Sequence, residues 1–349
     1  MSGGVDSTVA AHLLQAQGHE VEGVTFWLWA FPEAPDLGRR NQCCSLDDAA
    51  IAAAQLGVSH RVVNGSDAFH DNVVHDYVTR YRRGETPNPC GRCNRMVRFG
   101  LALDIAAEEG FDLVATGHHA RVLRDENGRP QLHRGVDPRK DQSYFLYGLA
   151  EPHLEQLAFP VGEMTKKEVL AHARAHALHA ASLPESQDLC FAPGGLPDAL
   201  FDPCDLAPGP ILDADGKRLG THNGLPRYTI GQRRGLGVAS ERPLYVVAID
   251  RERNALRVGG EEELASDGLV AAEASFVDGR GPEDNARVEV KLRYRSPAVD
   301  ATVRRLTNDR FALSFDAPQR AVTPGQLAVL YDGDRLLGGG TIVEATRDA

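Results

Sequence analysis

A change of periodicity near residue 197 most narrows what this chain can fold into. Before it, segments with helical spacing alternate with short apolar runs, the pattern of an α/β domain built on a mainly parallel sheet. Ser7 to Gln17 puts Val9, Leu13 and Leu14 near one helical face, and Val21 to Leu28 reads as a buried strand. Ser45 is placed to cap a helix that carries Asp47 and Asp48 in its first turn and stops at Gly57. Arg61 to Asn64 continues as a strand and Asp67 to Arg83 as a helix. Pro87 and Pro89 force a loop, Asn94 to Glu109 is helical with Gly110 as its stop, and Phe111 to Thr116 is a strand. Thr165 to Glu168 is a capping box that opens a helix through about Leu178.

Beyond 197, Pro203, Pro208 and Pro210 cluster, and short β-branched runs follow at Leu244 to Ile249, Ala286 to Tyr294, Ala301 to Arg305, Phe311 to Phe315 and Gln326 to Tyr331. That half reads as two small β barrels with a boundary near 268. The expected domains are 1–196, 197–268 and 269–349.

Composition excludes several classes. The longest strongly apolar stretch, Val24 to Phe31, is eight residues, far short of the roughly 18 to 20 that cross a bilayer. No secretory signal precedes it, so a cytoplasmic protein without a membrane partner is expected. Six cysteines are too few and too unevenly spaced for a disulfide scaffold, which makes metal binding or catalytic sulfur the better question. A net charge of −11 argues against a generic nucleic-acid coat. Between Arg80 and Arg98, however, six arginines face one acid, Glu85, and a polyanion is expected to dock there. Twelve of the 13 histidines lie in the α/β part, the expected home of the chemistry.

Three motifs carry that chemistry. Ser2-Gly3-Gly4-Val5-Asp6-Ser7 runs straight into a helix; its glycines, amides and hydroxyls suit an anion the size of pyrophosphate. It lacks the Gly-Lys-Ser/Thr of a Walker loop. SGGxDS resembles the PP-loop of enzymes that split ATP between its α and β phosphates, in which Asp6 would help hold Mg²⁺. Thr86 to Asn94 places Cys90 and Cys93 near a helix N-terminus beside Arg92 and Arg95, an environment that favours thiolate. Half of a structural zinc site is the alternative there, though a second CxxC pair is missing. Glu185 to Phe191 adds Cys190, which taken alone reads as a small buried apolar residue.

SGGVDS, TPNPCGRCN at 86–94, ATGHHA at 115–120, KDQSYFLY at 140–147, ESQDLCF at 185–191 and YTIGQRRGLG at 228–237 occur in this order, followed by RYRS at 293–296, TPGQ at 323–326 and LGGG at 337–340. As an ordered set over nearly the whole chain they resemble the bacterial tRNA-specific 2-thiouridylases. The resemblance implies a Rossmann-like PP-loop domain followed by two β domains. It also implies a sulfurtransferase that uses ATP and Mg²⁺, with two partners: tRNA, through its wobble uridine, and a persulfide donor such as a cysteine desulfurase or sulfur relay protein. Carried onto this sequence, it makes Met1, Ser2, Gly3, Gly4, Val5, Asp6, Ser7, Phe26 and Gly117 the ATP site. Cys93 becomes the nucleophile that pairs transiently with the persulfide carrier Cys190. Asn88, Pro89 and Cys90 would meet the target base, and His118, Lys140, Asp141, Gln142, Arg293, Tyr294 and Gln326 the tRNA. Read without it, the last seven are ordinary polar positions, although Arg293 and Tyr294 could stack on an unpaired base.

Two departures from the family pattern bear on this reading. Members have a short apolar strand before the loop, where this sequence has only Met1; either the start lies upstream, or the sheet loses a central strand and the loop its anchor. Many members carry Asp where Cys90 stands, and Cys90, Cys93 and Cys190 could instead hold a [4Fe–4S] cluster by three thiolates. The rival functions are a PP-loop ligase or amidotransferase acting on a small carboxylate, and a tRNA-binding protein impaired in catalysis.

Overall fold

The computed structural model describes residues 1–29, 45–184, 189–192 and 198–347. Cys43, Cys44, residues 185–188 of the ESQDLCF motif and the expected boundary at 196 lie outside the described residues.

In the N-terminal part, helix α1 (Val5–Ala16) leads into strand β1 (Glu22–Trp27), helix α2 (Leu46–Leu56) and strand β2 (Ser59–Asn64). The α2 ends are set by local chemistry: the Ser45 side chain accepts from the Asp48 amide, and Gly57 terminates the helix at φ 67°. A helical run, α3 (66–82), contains a π turn at His70–Val74, and a second run, α4 (89–109), contains one at Asn94–Arg98, directly after Cys93. Helix α4 begins at Pro89, earlier than the proline spacing suggests, because Asn88 caps it and proline suits a first helical position. The strand expected over 111–116 is only Val114–Ala115 (β3). Helix α5 (Lys166–Ala175) opens on the capping box, and it ends short of Leu178 at a backbone reversal where Ala177 takes φ 51°.

Strand β1 pairs parallel with β2, and β3 pairs parallel with β6 (Leu157–Ala158). Among the described residues, β1 and β3 do not pair with each other. Met1 lies along the β1 edge: its amino group donates to the Val24 carbonyl, and its own carbonyl accepts from Thr25 Oγ1 at 2.7 Å. The loop that follows is therefore anchored to β1.

Strands β4 (Ala120–Arg124) and β5 (Pro130–Arg134) form an antiparallel hairpin that leaves this sheet system. Through Arg335 and His133 it joins a closed six-stranded barrel of β11 (Ala265–Phe276), β12 (Arg287–Lys291), β13 (Val299–Thr307), β14 (Arg310–Arg320), β15 (Leu327–Asp332) and β16 (Arg335–Thr346). Between them, β7 (Gly209–Leu212), β8 (Arg218–His222), β9 (Tyr245–Asp250) and β10 (Ala255–Gly259) make a four-stranded sheet.

The barrel is filled by Leu269, Val290, Val303, Phe311, Leu330 and Ile342. A second core joins the hairpin and the segment 144–149 to the barrel wall through Leu132, Tyr144, Leu146, Val329 and Tyr331. Burial of that much apolar area makes the α/β part and the barrel one packed body.

Candidate active site

Helix α1 starts without a side-chain cap, so its first-turn amides face outward as donors. The loop before it is braced internally. Ser2 Oγ lies 2.9 Å from Ser7 Oγ, and Ser7 Oγ donates to the Gly4 carbonyl. Gly3 has φ 77°, and a Cβ there would come within 2.6 Å of Asp48 Cβ. Gly117, at the end of β3, is equally constrained: a Cβ would fall 2.5 Å from the backbone of Asp6 and Ser7. Only glycine lets these segments approach so closely.

Asp6 does not stand open to a metal ion. Lys166 Nζ is 2.7 Å from both carboxylate oxygens, and His119 Nε2 is 3.2 Å from one of them. Burial works to raise the Asp6 carboxyl, yet hydrogen bonds from His119 and Lys166 outweigh it and hold it below its ordinary value. Lys166 and His119 are site residues that motif reading missed. The only sequence signal for Lys166 is its first-turn place in the capping box, whereas His119 hides beside His118.

His118 bonds to Thr116 at 2.8 Å and packs between the rings of Phe99 and Phe159. Burial, aided by the Arg98 charge, pushes it down to about 4, so it is neutral at physiological pH. Asp141 is buried and accepts from the amides of Gly135 and Ser143. Gln142 exchanges hydrogen bonds with the backbone of His119. Both side chains are thus spent on shaping the loop that carries His119. Lys140 lines the cavity.

The thiols lie on one face of the same space. Asn88 caps the short helix by accepting from Gly91 N at 3.2 Å. Cys90 is exposed, whereas Cys93 is buried among Phe69, Tyr77 and Phe191, with Cys190 packed against the same cluster. The guanidiniums near the thiols also bind the backbone of other elements. Arg92 donates to the Asn72 carbonyl, and Arg95 donates to the Glu273 carbonyl while standing over the Tyr147 ring. Much of the arginine-rich stretch is likewise engaged within the protein, although Arg83 is exposed and Arg98 lines the cavity. Arg80 is buried against Asp76, Glu85 and Glu273, and Arg82 is held by Asp202 and Asp205.

The barrel closes the site. Gln326 Nε2 donates to the Thr86 carbonyl at 2.8 Å, and the Thr86 amide donates to the Pro324 carbonyl. Arg293 bonds to the Ala321 carbonyl and to Thr323 Oγ1. Tyr294 stacks on Phe145 with ring centroids 4.5 Å apart. A single cavity of about 1860 Å³ takes in the loop 1–7, Phe26, Gly117, the three cysteines, Tyr294 and Gln326. One arm of it runs between β1 and β3.

A glycine-rich helix N-terminus, a lysine and two thiols on one cavity, walled by a β barrel, define an ATP-loop domain joined to a sulfur-bearing site. Comparison with known proteins agrees. Residues 1–194 match the family described as tRNA methyl transferase HUP domain, 200–260 the PRC-barrel domain of the same name, and 266–342 an aminomethyltransferase beta-barrel domain. A tRNA-specific 2-thiouridylase of Chloroflexus aggregans is 46% identical over 98% of this chain and 96% of its own length. Those of a Picosynechococcus strain and Geobacter metallireducens are 46% and 45% identical over 98% of this chain and 96% and 95% of theirs. The chain belongs to the tRNA-specific 2-thiouridylase family.

Proposed function

We infer that this protein is a tRNA-uridine 2-sulfurtransferase that converts the wobble uridine of tRNAs of the lysine, glutamate and glutamine type to 2-thiouridine. The observation that supports it best is the shared cavity: the ATP loop and the Cys93 and Cys190 thiols open onto one space. Methyl transfer, which two of the family descriptions name, needs no such pair of thiols.

Uridine O2 is a poor leaving group. Its attack on the α-phosphorus of ATP releases pyrophosphate, whose charge is met by the α1 amides and Lys166. Mg²⁺ would supply charge neutralisation to the nucleotide phosphates, and Asp6 would hold it only in exchange for Lys166, which bonds both of its oxygens. The terminal sulfur of a persulfide on Cys190 then attacks C2, and AMP departs with the oxygen. Cys93 attacks the Cys190 sulfur, breaking the S–S bond, freeing the 2-thiouridine and leaving a Cys93–Cys190 disulfide. An external thiol reductant supplies two electrons and resets the pair.

The target base must leave the anticodon stack to reach the cavity, where the Tyr294 ring offers a stacking face. Within the ATP site, Met1 and Val5 contribute backbone and Phe26 a wall. Asn88 and Pro89 shape the helix start at the base pocket, and His118, Lys140, Arg293 and Gln326 line or brace the RNA side. The sulfur reaches Cys190 from a desulfurase or relay protein, in the cytoplasm. The three functional units are the α/β part to 196, the central β unit, and the barrel, whose first strand begins at Ala265, a few residues before the boundary expected at 268.

A second reading rests on Cys90, which lines the same cavity. Cys90, Cys93 and Cys190 would then hold a [4Fe–4S] cluster, which supplies an open iron for sulfide. The shared packing of Cys93 and Cys190, with Cys90 exposed apart from it, favours the disulfide. Iron content and a visible charge-transfer band in anaerobically purified protein separate the two.

The deciding experiment is mass spectrometry of nucleosides from unmodified glutamate tRNA incubated with the protein, Mg-ATP and a persulfide donor. A 2-thiouridine peak with matching AMP is expected. Pyrophosphate exchange without tRNA would favour the small-carboxylate ligase, and tight tRNA binding without ATP turnover the impaired binder.

A further inference from the structure

Helices α1 and α5 pack along each other, and their side chains meet at two levels. At the first, Lys166 meets Asp6. Six residues further along both helices, about 9 Å by helical rise, His172 Nε2 lies 3.0 Å from His12 Nδ1. His176, one turn beyond His172 and therefore on the same face, completes a group of three imidazoles. The three ring centroids are separated by 4.3 to 5.0 Å, and one ring nitrogen from each histidine lies within 4.8 Å of the other two. None of the three lines the cavity.

The hydrogen bonds orient this group. His176 Nδ1 lies 2.9 Å from the His172 carbonyl. A carbonyl only accepts, so Nδ1 carries the proton and Nε2 keeps its lone pair, the arrangement that outer-shell partners impose on metal-binding histidines. At 3.0 Å one of His172 Nε2 and His12 Nδ1 donates to the other, and a metal ion ligated by both would take the place of that shared proton. Tetrahedral Zn²⁺ with bonds of about 2.0 to 2.1 Å sets its nitrogens about 3.3 Å apart. His12 and His172 already stand close to that spacing at 3.0 Å, and the exposed His176 ring, whose nitrogen lies within 4.8 Å of theirs, would have to move inward to complete the set.

We propose that His12, His172 and His176 form a three-histidine site for a borderline divalent metal, Zn²⁺ foremost, with the fourth position open to water. It clips α1 to α5 outside the reaction cavity, behind the Asp6–Lys166 pair. The ligand chemistry is that of nitrogen donors, distinct from the sulfur donors in the cavity.

The test uses untagged, full-length, metal-stripped protein. Zn²⁺ is titrated against a competing chromophoric chelator, and Co²⁺ serves as a spectroscopic probe. One equivalent of Zn²⁺ is expected, with a Co²⁺ d–d spectrum of low coordination number and no thiolate charge-transfer band. His176→Asn and His12→Asn should each weaken that binding about 100-fold, at least the loss seen when outer-shell partners are removed. Added Zn²⁺ should raise the melting temperature of the wild type and not that of either variant. Because His176 is exposed, its variant keeps the fold, which circular dichroism checks. Zn²⁺ uptake unchanged in both variants, a thiolate band in the Co²⁺ spectrum, or no uptake by the folded wild type would overturn the proposal.

Discussion

Lys166 is the residue that ties the ATP loop to the rest of the domain, and it has no counterpart in the motifs. Its ammonium group spans both Asp6 oxygens at the head of α1, where pyrophosphate charge must be met. Lys166→Met should therefore lower the adenylation rate by roughly 10² to 10³, the usual cost of removing one preorganised donor. Pyrophosphate release in the presence of tRNA reads it directly. The same pair has a pH signature. Asp6 is held below its ordinary value of 3.8 in the folded protein, so the pair's stabilisation is complete above that value and drains as pH falls through the lower folded one. The melting temperature of the wild type should drop more steeply below about pH 4 than that of Asp6→Asn; parallel curves would contradict the coupling. At the thiols, Cys190→Ser should abolish 2-thiouridine formation yet leave tRNA affinity within a few fold, as nucleoside mass spectrometry and filter binding would show.

At the scale of elements, the capping box determines where Lys166 stands. Thr165 accepts from the Glu168 amide, and Glu168 returns a bond to the Thr165 amide. Thr165→Ala should cost about 1 kcal/mol of stability, a melting shift of a few degrees, and should lower ATP turnover because Lys166 is the first residue of that helix. This box, the Ser45 cap and the glycine stops at 57 and 110 were legible in the sequence because each is decided within a few residues. The elements that escaped are decided at a distance. Strand β3 is two residues long because its partner β6 is equally short. The π turns at 70–74 and 94–98 have no local signature, and hairpin β4–β5 is recruited by the barrel through a single pairing with β16. The candidate site divides the same way. Its glycines and cysteines stand out in ordered motifs, whereas the structural tasks of Asp141, Gln142 and Gln326 depend on partners 23 to 240 residues away or on burial that no local pattern encodes.

At the scale of the whole molecule, the arginine-rich stretch works inward. Arg80 and Arg95 both reach Glu273, a residue at φ 55° in the irregular part of β11, and Glu273 also accepts from Thr341 Oγ1 on β16. The cysteine-bearing helix is thereby fastened to the barrel that walls the RNA side of the cavity. The consequence for tRNA binding is a shallow salt dependence. Six open arginines would give a slope of log affinity against log salt near −4 to −5, whereas Arg80, Arg82, Arg92 and Arg95 already hold protein partners and release few counterions, so the measured slope should fall short of that by about their share. Glu273→Gln probes the clamp itself. It removes one charge from a half-exposed position, so Asp76 and Glu85 still hold Arg80 and the stability loss should stay near 1 kcal/mol rather than that of a broken buried pair. Its larger effect should fall on geometry. The Glu273 carboxylate also lies 3.9 Å from Arg92 of the helix that carries Cys93; with that helix less firmly seated against the barrel, 2-thiouridine formation should slow about tenfold, while the KM for ATP, governed by a loop on the far wall of the cavity, stays within about twofold. Equal losses in both would mean that the barrel supports the ATP site and the thiol site alike, and that the clamp is general to the fold.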